Sequence, residues 1–442
     1  MLGARLADAT CGRIIMTKLF GVLKLAARRQ PLIAGMARQI SFLRQLAAHR
    51  KLIQPYKLPH QLAPHHAVET PLLIGYFETG FGLGEYARGL ASALDTADIP
   101  FSIYPYNGYT GRSREGAPWA RLYDVDRVHS INIFCMAADQ THNARRIIGK
   151  WHTEKSYNIL NTFWELPRAP ESWRPELDFF DELWTPNQFV ADAFRPIFPK
   201  NIVVIPPCIT IDIQIAPSRE RFGLDSKKFY FLFYFDFNSY PERKNPMAVV
   251  TAFEAAFGNK RNDVGLILKT AGASHLFPNI ASELEAAAKR NPQIKLLHGD
   301  WQRANVLTLL ASVDCFVSLH RSEGFGLGMA EAMFLGKPVI GTGFSGNAEF
   351  LTTETGYPVP YQMRLVQEGE YPHHVRNSWA EPDMRIAAEI MHTVADKTDE
   401  ARNKALRGQT YIRQHYSPKV VGRLINERLQ DHLVSFRRAP HE

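Results

Sequence analysis

The most informative part of this chain is the stretch SLHRSEGFGLGMAEAMFLGKPVIGTGFSGN, which spans residues 318–347. It overlaps an apolar run at Val313–Leu319 that is typical of a buried strand, and it continues into a helical run at Met329–Leu335. Three glycines separate the two runs: Gly324, Gly326 and Gly328. The pattern therefore predicts a strand, a glycine loop and a helix in succession.

The start of the predicted helix is an expected anion site. Backbone amides in a first helical turn lack an internal partner and carry partial positive charge, and glycines let a phosphate approach them closely. Two carboxylates flank the loop, since Glu323 enters it and Glu331 lies about one turn into the helix. Carboxylates do not favour phosphate, but they accept hydrogen bonds from hydroxyls. The sequence therefore predicts a ligand with both phosphate and sugar hydroxyls.

The wider phrase resembles the donor-binding signature of the retaining, nucleotide-sugar-dependent glycosyltransferases of family 4, which have the GT-B fold. Its segments are Glu323–Leu327, Glu331–Met333, Gly336–Ile340 and Ser345–Asn347. The resemblance implies two Rossmann-like domains that face a cleft. It implies that Glu323 holds the hydroxyls of the transferring sugar and Glu331 those of the donor ribose. The other donor contacts it implies are Gly324, Phe325, Gly326, Leu327, Ser345, Gly346 and Asn347.

A second charged segment, Glu242–Pro246, lies where a predicted strand gives way to a helix. Asn245 is expected to cap this helix. Lys244 and Arg243 would then face the same crevice as the glycine loop and complement a diphosphate. By resemblance Lys244 is the donor-phosphate lysine, whereas an arginine usually found about six residues earlier is replaced by Asn238. Arg243 is the candidate for supplying that charge, with a solvated surface position as the alternative.

The composition indicates a two-domain globular protein. A chain of 442 residues is too long for one ordinary core, and its hydrophobic content of 45% and charged content of 22% are typical of globular proteins. Four widely spaced cysteines suit a reducing compartment and show no zinc spacing. Because no apolar run is long enough to span a bilayer, we expect a cytoplasmic protein. No Asp-x-Asp motif lies at a matching strand end, so we expect no metal site, and the nucleotide sugar is expected as a co-substrate with no separate cofactor.

Positive charge is concentrated at the N-terminus. The chain has a net charge of +8, and eleven Lys and Arg against one acid lie within residues 1–65. The remainder is nearly neutral, which argues against nucleic-acid binding.

Within the N-terminal extension, Arg13–Arg29 has the pattern of an imperfect basic amphipathic helix. One interpretation of this helix is peripheral attachment to an anionic membrane surface. The other, with equal weight, is a helix packed on the protein body or a disordered tail. An organelle-targeting segment is disfavoured because Ser41 is the one serine in the first fifty residues.

A second glycine loop occurs near the start of the first predicted domain. Thr79–Gly84 follows an apolar run at Leu72–Phe77, which suggests another anion-binding turn. A dinucleotide site would need an acid at the end of the next strand, Phe101–Asn107, and none is present. By resemblance Gly82 and Gly84 face the cleft; the alternative is a glycine turn that lets helix and strand pack closely.

Two acidic residues are candidates for the acceptor side. Asp139 follows the predicted strand Ile131–Met136, and strand ends in open α/β sheets point into the ligand crevice. Related enzymes often have a histidine near this point, whereas this chain has Cys135–Asp139 here and a histidine only at His142. Glu165 lies among aromatic residues, a combination that binds sugars and resembles bacterial enzymes of surface-polysaccharide assembly.

The domain boundaries predicted from the sequence are 1–65, 66–215, 216–410 and 411–442. The third range alternates strands and helices as a parallel doubly wound sheet does, and the last contains a helix expected to cross back to the first domain. The predicted function is sugar transfer from a nucleotide diphosphate sugar to a glycan or lipid-linked glycan. A sugar-nucleotide epimerase, a dehydrogenase and a non-catalytic glycan-binding scaffold remain alternatives.

Overall fold

The computed structural model describes the chain over five ranges: 42–56, 68–106, 116–149, 152–258 and 261–438. Residues 44 and 155 are not described within them, and side chains are described up to residue 430. The amphipathic pattern at Arg13–Arg29 lies outside the described residues. Among the helices that are described, none has the length and apolarity needed to cross a bilayer.

The first domain is built on a parallel six-stranded sheet in which β1 lies between β2 and β3 and the order continues through β4, β5 and β6. Its central strands are buried on both faces, which explains their continuous apolar runs. The strands are β1 (Leu72–Gly75), β2 (Ser102–Pro105), β3 (Ile131–Cys135), β4 (Tyr157–Asn161), β5 (Glu182–Thr185) and β6 (Asn201–Val204). The helices described around them are α1 (Gly82–Thr96), α2 (Thr141–Ile148), α3 (Arg174–Leu177) and α4 (Gln188–Phe194).

The second domain repeats this plan, with a parallel sheet in the order β12, β11, β10, β7, β8, β9. The strands are β7 (Phe229–Asp236), β8 (Val264–Ala271), β9 (Ile294–His298), β10 (Cys315–Ser318), β11 (Val339–Thr342) and β12 (Tyr357–Val359). The helices are α5 (Pro241–Lys244), α6 (Pro246–Phe257), α7 (Pro278–Arg290), α8 (Arg303–Ser312), α9 (Leu327–Phe334), α10 (Met384–Asp396) and α11 (Thr398–His415). An antiparallel hairpin of β13 (Tyr361–Leu365) and β14 (Ser378–Pro382) follows β12.

Each sheet has one point where the strand order reverses. In the first domain the reversal lies between β1 and β3, and in the second between β7 and β10. Ligand crevices of open α/β sheets form beyond the strand ends at such points. The predicted site residues follow these four strands: Gly82 after β1, Asp139 after β3, Lys244 after β7 and Glu323 after β10.

The last helix, α12 (Pro418–Arg438), lies on α1 of the first domain. Val421, Ile425 and Leu429 are buried in the core that α1 forms with its sheet. Gly422 permits close approach, since a Cβ there would lie 2.3 Å from the carbonyl oxygen of Ala93. Further along α12, Arg428 donates from Nε at 2.9 Å to Glu182, a fully buried carboxylate of β5. The end of the chain therefore completes the first domain.

Two local predictions have opposite outcomes. Helix α6 begins at Pro246 as expected, but the capping role predicted for Asn245 is wrong. Asn245 adopts a left-handed conformation with φ 51°, makes no capping bond and points its amide towards Glu381 at 3.5 Å. Trp184 of β5 is fully buried.

The helical residues 45–53, at the described end of the N-terminal extension, pack on the first domain. His49 Nε2 lies 3.0 Å from the hydroxyl of Tyr104 on β2, and the two rings stack. Leu52 and Ile53 are buried beside them. This part of the extension therefore belongs to the protein body.

Candidate functional site

A cavity of about 740 Å³ lies between the two domains, where the strand ends of both sheets meet. Most of the predicted site residues line it: Gly82, Asp139, Glu165, Arg243, Lys244, Glu323, Gly324, Phe325, Gly326, Leu327 and Glu331. Four do not, and they lie behind the lining: Gly84, Ser345, Gly346 and Asn347. We call the part around Lys244, Glu323 and Glu331 the charged end, and the part around Asp139, Glu165 and Tyr371 the aromatic end.

Glu323 is clamped between two cations at the charged end. Its Oε2 lies 3.1 Å from Arg243 Nη1, and its Oε1 accepts a hydrogen bond from Lys244 Nζ. The residue is only 9% exposed. Burial alone would raise the pKa of Glu323, but the charges of Lys244 and Arg243 outweigh it and lower the pKa to about 2. Lys244 and Arg243 therefore bring two cations to this end of the cavity, where they can meet an anionic ligand.

The backbone before α5 brings these cations to the cleft. Tyr240 has φ 61°, a left-handed conformation that costs of order 1 kcal/mol or more in a bulky residue and tends to occur at functional sites. The turn aims α5 so that Arg243 is buried and donates from Nη1 to the Ser322 carbonyl at 2.9 Å. Arg243 is thus not the solvated surface residue that the sequence left open as an alternative.

The glycine loop after β10 ends at Gly326, which precedes α9 with φ 92°. This left-handed conformation suits glycine and turns the first amides of the helix into the cleft. Gly328 packs against Tyr234, whose hydroxyl would lie 2.9 Å from an added Cβ. Phe325 anchors the loop in the core, where its ring lies 5.2 Å from that of Phe350. The loop is therefore a rigid, close-approach surface at a helix N-terminus.

Residues 345–347 support that loop from behind. Ser345 Oγ accepts from the Glu323 amide at 2.8 Å, and the Gly346 amide donates to the Glu323 carbonyl at 2.9 Å. A Cβ on Gly346 would lie 2.2 Å from the Gly324 carbonyl oxygen, so this position requires glycine. Asn347 Oδ1 lies 2.9 Å from the Nε2 of the buried His320. The structure places these residues as braces of the loop and not on the cavity wall.

Glu331 belongs to a network that the sequence did not reveal. Its carboxylate accepts from the Tyr234 hydroxyl at 2.8 Å and from both terminal nitrogens of Arg303. Arg303 also lies 3.5 Å from Glu85 of α1, so it links the two domains. Glu85 in turn pairs with Arg88 at 2.7 Å. Arg303 is the first residue of α8, the helix that follows β9. The sequence argument about residues after strand ends, if extended to β9, would have included Arg303.

The first glycine loop meets this network from the other domain. Gly82 lies in the cavity wall, and Gly84 lets the loop close on itself, because a Cβ there would lie 2.2 Å from the Thr79 carbonyl oxygen. Arg88 Nη1 donates to the Phe77 carbonyl at 2.8 Å and holds the same turn. Gly84 therefore fits the close-packing interpretation, whereas Gly82 faces the cleft.

Lys269 is a further cleft residue outside the sequence motifs. It lies in the second half of β8 and is almost fully buried. Its ammonium donates to the Thr270 and Gly299 carbonyls at 2.9 and 2.6 Å. Its ammonium lies 4.6 Å from the ring centre of Trp301, a cation–π contact. Burial lowers the pKa of Lys269 to about 8. It therefore places a titratable cation beside the charged end.

The aromatic end is formed by both domains. Tyr371, from the segment between β13 and β14, donates its hydroxyl to Glu165 Oε2 at 2.8 Å. The Tyr240 and Tyr371 rings meet edge to face at 4.9 Å, while Asp139 is exposed to the cavity. Partial desolvation, together with the nearby charge of Glu165, raises the pKa of Asp139. In the described part of the chain, no three His, Cys, Asp or Glu residues are arranged to hold a metal ion.

The protein has two facing Rossmann-like domains, with cations and a helix N-terminus beside the cleft. This is the GT-B architecture that the sequence predicted, and similar solved structures confirm the fold. Residues 230–368, most of the second sheet and its site, match the family described as Glycosyl transferases group 1. The match begins in β7 and ends just after β13. No curated protein matches the chain at a significant level.

Three solved structures share the fold at low sequence identity. Sucrose-phosphate synthase from Thermosynechococcus elongatus has a TM-score of 0.60 at 14% identity, with 83% of this chain and 100% of that chain covered. A glycosyltransferase from Rickettsia africae has a TM-score of 0.59 at 14% identity, with 83% and 99% covered. HepE from Anabaena, in complex with UDP and glucose, has a TM-score of 0.58 at 13% identity, with 82% and 100% covered.

Proposed function

We propose that this protein is a glycosyltransferase that moves a sugar from a nucleotide diphosphate sugar to a hydroxyl of a glycan or lipid-linked glycan. The observation that carries the proposal is the arrangement of Glu323 between Lys244 and Arg243, beside the amides of the Gly324–Gly328 loop. This single surface offers cations and amides to a diphosphate and a carboxylate to sugar hydroxyls. The group 1 domain over residues 230–368 supports the same chemistry.

The expected donor is a nucleoside diphosphate sugar, and UDP-glucose is the first to test because HepE was solved with UDP and glucose. In the proposed arrangement, Lys244 and Arg243 bind the diphosphate with the first amides of α9. Glu323 accepts hydrogen bonds from the transferring sugar and Glu331 from the ribose. Braces such as Ser345 keep the loop in place without contacting the donor.

The charged end also suits the bond-breaking step. The bond between the anomeric carbon and the diphosphate oxygen breaks, a bond to the acceptor oxygen forms, and the proton of the acceptor hydroxyl passes to the leaving nucleoside diphosphate. Negative charge grows on the leaving diphosphate, where Lys244, Arg243 and the helix terminus stabilise it in a dry site. Because these groups supply the positive charge, we propose that transfer needs neither a metal ion nor a cofactor.

The resemblance to family 4 leads us to propose that the anomeric configuration is retained and that the product is part of a bacterial surface polysaccharide. The basic residues within 1–65 lead us to propose attachment to the cytoplasmic face of an anionic membrane. Co-sedimentation with phosphatidylglycerol vesicles at low salt tests that attachment. Failure of the full chain to sediment would refute it.

The activity is tested by incubating the purified protein with a panel of nucleotide sugars, with and without a membrane glycolipid extract, and measuring free nucleoside diphosphate. Lys244→Ala and Glu323→Ala should abolish release, whereas the exposed control Lys289→Ala should not. Proton NMR of the product then reports whether the anomeric configuration is retained. Nucleotide binding without release from any donor would contradict the transferase proposal.

A further inference from the structure

The segment between β13 and β14 reaches out of the second domain and is built into the first. Trp379 of β14 is fully buried, and it packs with Val366 and Tyr371 in the core of the first domain. Asn377 Oδ1 accepts from the Arg168 amide at 3.0 Å, and its Nδ2 donates to the Arg168 carbonyl at 3.2 Å. These paired bonds fix the segment across one side of the cleft.

This crossing places one histidine at the aromatic end. His373 lines the cavity and has φ 55°, a left-handed conformation. Its ring meets Trp173 at 5.4 Å and Trp164 at 6.1 Å, both edge to face. Asp139 lines the same cavity, and its charge favours protonated His373, although partial burial lowers the histidine pKa overall. A histidine and a carboxylate from different domains therefore share one space.

The charge of this end differs from that of the rest of the cleft. The polar groups presented are the Asp139 and Glu165 carboxylates, the Tyr240 hydroxyl and the His373 ring. The nearby Arg243 is already paired with Glu323 at 3.1 Å and lies 3.8 Å from Glu165. Carboxylates and aromatic rings bind sugar hydroxyls and ring faces, and they repel acidic groups. The surface therefore fits an uncharged sugar.

We propose that the 366–377 segment completes a binding site for the uncharged terminal sugar of the acceptor, in which Asp139 and His373 hydrogen-bond its hydroxyls across the cleft. This inference rests on the proposed function and adds to it the chemical class of the acceptor end group. Tyr371 braces the site by holding Glu165, and the indole rings of Trp164 and Trp173 support His373. The acceptor-side histidine thus comes from the second domain, 234 positions beyond Asp139 in the chain.

The test measures binding to an array of immobilised glycans in the presence of UDP. The array carries glycans ending in uncharged hexoses, in uronic acids and in phosphorylated sugars. Wild type should bind uncharged termini. Asp139→Asn should weaken that binding about tenfold or more, the size of one lost charged hydrogen bond, and His373→Ala about two- to tenfold, the size of one lost neutral hydrogen bond. The adjacent His374→Ala, which lies outside the cavity lining, should bind like wild type.

Two further measurements separate a local effect from misfolding. UDP affinity by calorimetry should be unchanged in all variants, because the charged end is intact. His373→Asn tests the same loss with a residue that tolerates positive φ, which removes backbone strain as an explanation. Both histidine variants should behave alike.

Three outcomes would overturn the inference: no array binding, unaltered binding by Asp139→Asn and His373→Ala, or a preference for acidic termini. Donor hydrolysis without acceptor is measured in parallel, since it depends on the charged end alone. If wild type releases UDP from UDP-glucose but shows any of these three outcomes, the acceptor inference fails and the transferase proposal stands. If no donor is turned over, the proposed function fails first.

Discussion

At the charged end of the cleft the polar side chains are ionised, buried and paired with one another, whereas at the aromatic end they are set among rings and open to the cavity. Glu323, Lys244 and Arg243 come from one domain and are held before any ligand arrives. Asp139 and His373 come from two domains and depend on a segment that crosses between them. The first end is preorganised within one sheet, and the second exists only when both domains are assembled.

The difference shows how the two ends divide specificity. Fixed charges with left-handed turns suit a ligand part that never varies, such as a diphosphate. A wall of rings, phenols and carboxylates adapts to a sugar through hydroxyl positions. Changes at the charged end should therefore abolish chemistry, while changes at the aromatic end should alter which acceptor is used.

The largest effect is expected from Glu323→Gln, which removes the negative charge between Lys244 and Arg243. We expect kcat to fall about 100-fold, the usual loss when a group that positions the reacting sugar is altered. UDP affinity should persist, because both cations remain. Steady-state UDP release and calorimetry measure the two quantities. Comparable loss in Glu283→Gln, an exposed control on α7, would contradict this prediction.

The second-largest effect, on stability, is expected from the ion pair between Arg303 and Glu331. Arg303→Met leaves the carboxylate of Glu331, 2% exposed, without its guanidinium partner. We expect the free energy of unfolding to fall by about 3 kcal/mol, as when one member of a buried ion pair is removed. Urea denaturation measures the change. The double variant Arg303→Met with Glu331→Gln should recover most of it, and equal instability of the single and double variants would contradict the pairing.

A somewhat smaller effect on the free energy of unfolding, one that depends on pH, is expected at Lys269. Its pKa is about 8 in the folded protein and about 10.4 in an unfolded chain. Between these values the unfolded chain binds more protons at this site, so stability rises with pH. Relative to Lys269→Met, wild type should gain on the order of 2 kcal/mol between pH 8 and pH 10.5. Denaturation curves whose separation does not change with pH would contradict it.

The smallest effect is expected from Asn377→Ala, which removes the paired bonds to Arg168. We expect a stability loss of about 1 to 2 kcal/mol, the value for buried hydrogen bonds left unmade. Acceptor KM should rise while UDP affinity stays constant, because the variant loosens the aromatic end alone. If UDP affinity also fell, the prediction would be contradicted, because the variant would then disturb the charged end as well as the aromatic end.

The charged end could be predicted because its residues lie in two short segments that follow neighbouring strands. Glu323 and Lys244 meet because β7 and β10 are adjacent where the order of the sheet reverses. A periodic pattern of strands and helices is enough to place such residues together. The fold of both sheets followed from the same pattern.

What the sequence did not reveal depends on contacts between distant segments. Arg303 pairs with Glu331 across 28 positions and with Glu85 of the other domain, and His373 reaches the aromatic end through a hairpin insertion. Asn245 has the residue type of a helix cap, but the preceding turn puts it in a left-handed conformation that prevents capping. Local preference was overridden there by the geometry that buries Arg243.

The position of α12 on α1 has a consequence for synthesis on the ribosome. The first domain keeps Glu182 buried against Arg428 and shares its core with Val421 and Ile425, which are made about two hundred residues after its last strand. At bacterial and eukaryotic translation rates this is a delay of roughly 10 to 40 s. During that interval the face of α1 that contacts Val421 and Ile425 in the complete fold lacks its cover from α12. The chain cannot mature domain by domain, and its N-terminal half must stay soluble until its final helix emerges.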